Sequence, residues 1–146
     1  MKRVLAFALP AAILALTGCG GDTCTSAAAP LLDTQGGQQC NLTPGQEATF
    51  NIRLCGRCTD TAASCQAEFV NGQIEIAPVV QQCQAESTCG VTGSCALTPP
   101  VASCQLTIPA SVSDGTPISV QANDQNGNFV SVTNTVVTNG GNGCTL

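Results

Sequence analysis

The chain has 146 residues, of which 43% are hydrophobic and only 9% charged, with 11 cysteines and no His, Trp or Tyr. Without His, nucleophilic catalysis through a Ser-His-Asp or Cys-His arrangement is excluded in its usual form. Beyond residue 18 only Arg53 and Arg57 oppose the acidic residues. The basic cluster that a phosphate backbone requires is missing, and nucleic acid is not an expected partner.

Met1-Lys2-Arg3 supplies a positive start, and an apolar run over residues 4–16 leads to Leu16-Thr17-Gly18-Cys19. The run is shorter than the roughly 18 residues a membrane span needs and contains Pro10, so it reads as an export signal. Leu16-Thr17-Gly18-Cys19 resembles the bacterial lipobox. That resemblance implies cleavage before Cys19 and a diacylglyceryl group on its thiol, leaving the mature chain with a membrane partner through its N-terminal lipid. Each buried methylene contributes about 0.8 kcal/mol, so two or three acyl chains hold a protein on a bilayer almost permanently. The implied location is the bacterial cell envelope, with the outer membrane favoured because Gly20 stands where a retention Asp would. The plainer reading is a signal cleaved near Gly18 that leaves Cys19 as one more disulfide partner.

Removing residues 1–18 leaves a length that suits one domain. Phe50, Phe69 and Phe129 are its only aromatics, a thin core of the kind that small secreted domains reinforce with covalent staples. With Cys19 acylated, an even set of disulfide candidates remains: Cys24, Cys40, Cys55, Cys58, Cys65, Cys83, Cys89, Cys95, Cys104 and Cys144. Such a set fits an oxidising destination, with the connectivity open.

Residues 19–39 are small, polar and Gly-rich, and read as a lipidated N-terminus and flexible tether. Cys24 lies within it and is a candidate for pairing back onto the domain. The domain is expected over residues 40–146. Thr43-Pro44-Gly45 is a turn ahead of a strand at residues 47–54, with Ala48, Phe50, Ile52 and Leu54 facing inward. Residues 67–70 and 73–80 flank Asn71-Gly72 and predict a hairpin with a type I′ turn. Ile74 and Ile76 are its inward residues. One helical turn is allowed at residues 60–66. Residues 82–100, with Cys83, Cys89 and Cys95, read as a stapled loop region.

Alternation resumes at residues 101–108, which point Cys104, Leu106 and Ile108 inward. After a corner at residues 109–115 come a strand at 118–123, with Ile118, Val120 and Ala122 inward, and a turn at 124–128. The last strand, residues 129–137, buries Val130, Val132 and Val136, and Asn134 breaks the pattern as a β-bulge would.

About seven short strands with closely spaced turns predict an all-β, disulfide-rich, antiparallel two-sheet sandwich. Residues 104–128 resemble the closing strands of bacterial immunoglobulin-like modules, and Pro44-Gly45-Gln46 is similar to the entry of an early strand. The resemblance implies an immunoglobulin-like β-sandwich, although Pro117 stands where such modules often carry a Tyr.

Three constellations bear on chemistry. Cys55-Gly56-Arg57-Cys58 has the spacing of a redox pair, with Arg57 placed to favour a thiolate. Thioredoxin-like motifs are followed by a helix, and the single turn allowed after Cys58 is too short to serve as one, so structural disulfides are the stronger reading. Four thiolates drawn from Cys55, Cys58, Cys65 and a later cysteine would suit zinc, but an oxidising compartment consumes them. Asp124, Asn126 and Asn128 place oxygen ligands at alternate positions, as calcium loops do, while Asn126-Gly127 is a hairpin signal by itself. Asn41-Leu42-Thr43 matches a glycosylation sequon that a bacterial lipoprotein rarely uses. No catalytic residue, metal or cofactor is expected. The expectation is a lipid-anchored envelope protein with a non-catalytic structural or binding role toward an unidentified protein or surface. The alternatives are an envelope thiol-disulfide oxidoreductase using Cys55 and Cys58, and a calcium-dependent adhesion module.

Overall fold

The computed structural model describes residues 24–55, 60–83, 100–124 and 126–146. The signal segment, the lipobox with Cys19, and Cys58, Cys89 and Cys95 lie outside these residues, as does most of the stapled loop region. The described part is all β with no helix: β1 (Cys24–Ala28), β2 (Gln39–Leu42), β3 (Glu47–Arg53), β4 (Asp60–Val70), β5 (Gln73–Cys83), β6 (Val101–Thr107), β7 (Pro117–Asn123), β8 (Phe129–Val137) and β9 (Asn142–Thr145).

All nine strands belong to one curled, open sheet. β4 lies along one side of β5 for the length of both strands. The other side of β5 carries β7 over its first half (Ile74↔Ile118, Ile76↔Val120) and β1 over its second half (Cys24↔Cys83 to Ala28↔Val79). From β7 the order continues β8, β2, β9, β3, β6. β1, which pairs only with β5, is a short edge; β4 and β6 are the two longer edges, and the curl packs β4 against β6 without ladder hydrogen bonds among the described residues. The Cys65–Cys104 disulfide, with a Cα–Cα distance of 4.9 Å, joins these edges. A second disulfide, Cys40–Cys144, links the neighbouring strands β2 and β9 at 5.1 Å. The two bonds close segments 39 and 104 residues long, for which loop entropy gives on the order of 4 kcal/mol each.

The expected inward residues of β3 are all buried: Ala48, Phe50, Ile52 and, just past its end, Leu54. Ile74, Ile76, Cys104, Ile108, Ile118, Val120, Ala122, Val132 and Val136 join them in the core. Leu106 and Val130, also expected inward, are only partly buried against it. Asn71 and Gly72 have φ of 51° and 82°, the left-handed pair a type I′ turn requires.

Six features differ from the sequence reading. The expected fold is antiparallel, but the β5–β7, β2–β8 and β3–β9 pairings are parallel, because strands remote in sequence are brought together by long connections instead of tight hairpins. The stretch read as a tether is part of the sheet from Cys24 onward: Ala29 and Leu31 are core residues, and β2 lies between β8 and β9. Residues 60–66 form the start of β4 rather than a helical turn, because β5 offers a partner along its whole length; the misfit is absorbed by a register shift between Ala62 and Ser64. β5 continues to Cys83, past the expected start of the loop region. Asn134 sits in an unbroken register opposite Ile118, so no bulge exists there. It points inward and is 2% exposed, tolerated because its Oδ1 accepts the Gln38 N–H at 3.0 Å. Finally, β9 runs through Asn142-Gly143-Cys144-Thr145, where apolar alternation is absent. Gly143 is needed there because a Cβ would overlap the Thr49 carbonyl oxygen of β3.

Candidate functional site

Take as the upper end of the sheet the end at which β5 and β7 finish. The registers bring the end of β3 and the start of β8 to the end of β7, while β1 starts beyond it, opposite Cys83, and runs down to meet it at Pro30. Residues 29–32 cross it. The Leu31 N–H donates to the Asn123 carbonyl of β7 at 2.9 Å, the Leu32 N–H to the Arg53 carbonyl of β3 at 3.1 Å, and the Cys55 N–H to the Pro30 carbonyl at 2.7 Å. The chain then turns at Asp33, whose Oδ1 accepts the Gln35 N–H at 2.8 Å. It meets β8 where the Gly37 N–H donates to the Thr133 carbonyl at 2.8 Å and the Thr135 N–H donates to the Gln38 carbonyl at 3.0 Å.

Between this crossing segment and the sheet lies a crevice with a volume of about 10 Å³. Leu31, Ile52, Val120, Val132 and Leu146 supply apolar surface, and Asp33, Gln35, Gln38 and Asn134 supply polar groups. Pockets for drug-sized ligands run from about 300 to 1,000 Å³ and bury most of their guest. This crevice falls far below that range: its volume is about that of one water molecule, so it is a shallow dimple between the segment and the sheet. Its lining holds one carboxylate, Asp33, and no His, Cys, Ser or Lys, so it presents neither an acid–base pair nor an activated nucleophile.

No sequence motif marked this site. Leu31, Asp33, Gln35 and Gln38 belong to the stretch read as a tether, and Asn134 read as a break in a strand. The available signal was Ala29-Pro30-Leu31-Leu32, an apolar tract too short to show a period.

The three motif-based candidates fall elsewhere. Cys55 is 4% exposed and disulfide-bonded, whereas an attacking thiolate sits in an accessible, electropositive setting; Cys58 lies outside the described residues. Cys65 is spent in its bond to Cys104, which removes it from the four-thiolate zinc grouping. At the turn, Asp124 Oδ1 accepts the Asn126 and Asn128 N–H groups, each at 2.8 Å, and Oδ2 accepts Asn128 Nδ2 at 3.1 Å. These bonds, led by the Asn128 side chain, hold the Asp124 carboxyl below its ordinary pKa. The carboxylate thus organises the turn into β8. Gln125 lies outside the described residues.

A second carboxylate works in the same way at the lower end. Asp114 Oδ1 accepts the Thr138 hydroxyl at 2.6 Å and its N–H at 2.5 Å, and the hydroxyl first, then the amide, lowers its pKa.

Comparisons with protein-family models, with curated proteins and with solved structures return no match for this chain.

Proposed function

We propose that this chain is an exported protein of the bacterial cell envelope, anchored through lipid on Cys19, with a non-catalytic structural or binding role. The observation that carries the reading is the Cys65–Cys104 bond between the edge strands β4 and β6. A sheet whose closure depends on sulfur needs a compartment where disulfides persist, and the leader at residues 1–18 and the lipobox-like tetrad offer a route to one. The cysteine count supports the anchor: of eleven, acylation of Cys19 removes one and leaves an even set for pairing.

Within this reading the strands form an immunoglobulin-like sandwich. The packing of β4 over β6 without ladder bonds, the disulfide across that gap and the core between opposed stretches of sheet support it. The burial of Cys55 argues against the oxidoreductase alternative, and the internal bonds of Asp124 argue against the calcium alternative.

Mass spectrometry of the mature protein taken from membranes tests the proposal. The expected N-terminus is Cys19 carrying the mass of two or three acyl chains. An unmodified N-terminus, or one beginning elsewhere, would overturn the anchored reading.

A further inference from the structure

β1 is a five-residue strand laid along the upper half of β5, and its register places Cys24 directly opposite Cys83. Residues directly opposed across antiparallel strands have Cα atoms about 4.5–5.5 Å apart, inside the window of about 4.4–6.8 Å that a disulfide spans. The two bonds already described have Cα–Cα distances of 5.1 and 4.9 Å, so the same protein bridges cysteines at this separation twice. Cys40, Cys65, Cys104 and Cys144 are committed to those bonds, which leaves Cys83 as the cysteine that the backbone brings opposite Cys24.

From these placements we propose that Cys24 and Cys83 form a further disulfide, which fastens the N-terminal strand to β5 and fixes how far the domain stands from its acyl anchor. In forming it the two thiols give up two protons and two electrons. A disulfide-bearing oxidant of the envelope accepts them and leaves as a dithiol. The bond itself does not depend on lipidation; the stand-off rests on the anchored reading above.

Only Gly20, Gly21, Asp22 and Thr23 separate Cys19 from Cys24. At 3.3–3.6 Å per residue, fully extended, the leash reaches about 18 Å at most. A free stretch of residues 19–39 would reach roughly 70 Å by the same measure. With Cys24 bonded, the Cys83 end of β5 is held near the bilayer, and the 66%-exposed Phe129 at the end of the β7–β8 pair lies about four residues farther down the sheet. Load on the anchor passes into β5, an interior strand, instead of peeling β1 away.

Peptic digestion of the membrane-extracted protein at low pH, without reductant, tests the bond, because thiol–disulfide exchange needs a thiolate and is suppressed there. A linked peptide pair containing Cys24 and Cys83 is expected; Cys24 found free, or linked to another cysteine, would overturn the proposal. The mass of the N-terminal peptide from the same digest reports acylation of Cys19 separately, so the failure of one reading is distinguishable from failure of the other. As a second readout, the Cys24→Ser/Cys83→Ser double variant should be cleaved within residues 24–32 at least about tenfold faster, since cleavage follows the population of the opened strand. Equal cleavage of the two proteins would show that no bond fastens β1.

Discussion

The β7–β8 hairpin and the segment from β1 to β2 both contribute to the core, but they are held there differently. β7 and β8 share an uninterrupted register from Pro117↔Thr135 to Asn123↔Phe129, and they bury Ile118, Val120, Ala122, Val132 and Val136 at alternate positions. The pair closes its own turn through Asp124. Residues 24–42 make no such unit. They pair with β5, then with the ends of β7 and β3, then with β8 and β9, so every strand pairing they make is with a remote partner. A self-contained hairpin is specified locally, whereas a segment threaded through other strands is specified only once the rest of the sheet exists.

Leu31→Ala breaks this comparison most directly. A tether residue would tolerate the change within about 0.5 kcal/mol. Leu31 is 3% exposed, so the fold expects a loss of about 3 kcal/mol in denaturant unfolding. An unchanged midpoint would return residues 24–38 to the status of a free leader. Asn134→Val probes the joint between the two regions, since it keeps the hairpin's shape but orphans the Gln38 N–H. A cost of about 2 kcal/mol is expected, together with faster hydrogen exchange at residues 35–39. A neutral or stabilising result would mean that the crossing segment is not fastened to β8 there.

The same contrast explains what was readable beforehand. β3, β5, β6, β7 and β8 are long enough to show alternation, and Asn71-Gly72 marks its hairpin by the chemistry of positive φ. β1, β2 and β9 have five residues or fewer, built largely from Ala, Gly, Asn, Thr and Cys. Their place depends on backbone pairing and close approach, as at Gly143 against Thr49, and neither leaves an apolar period. Asn134 misled for a related reason: a buried amide is indistinguishable from a break until its partner, Gln38, is brought near from 96 residues away. The crevice was illegible because the wall set against the legible strands β3, β7 and β8 is residues 31–38, which carry no apolar period.

Two smaller effects sharpen the local side of the comparison. Gly72→Ala places a Cβ on a residue with φ of 82° and should cost about 1 kcal/mol, measured by thermal unfolding, with the β4–β5 register retained. A larger loss would show that this turn nucleates more of the sheet than its own hairpin. The Asp114 carboxyl has its pKa lowered in the fold, so its contribution is present above the unfolded value near 3.8 and is lost as pH falls through the lower folded value. Asp114→Asn should therefore reduce stability slightly at pH 7 and leave it unchanged near pH 2. A deficit of equal size at both pH values would show that the carboxylate charge is not what holds Thr138.

The central claim is that sulfur, in place of bulky side chains, closes the curled sheet. Its most direct test is denaturant unfolding of the oxidised protein beside the Cys65→Ala/Cys104→Ala double variant, all other bonds intact. Parting the two edge strands should lower the unfolding free energy by on the order of 4 kcal/mol and loosen hydrogen exchange along β4 and β6. If the variant unfolds at the same denaturant concentration with the same slope, the edges hold without their bond and the account is wrong.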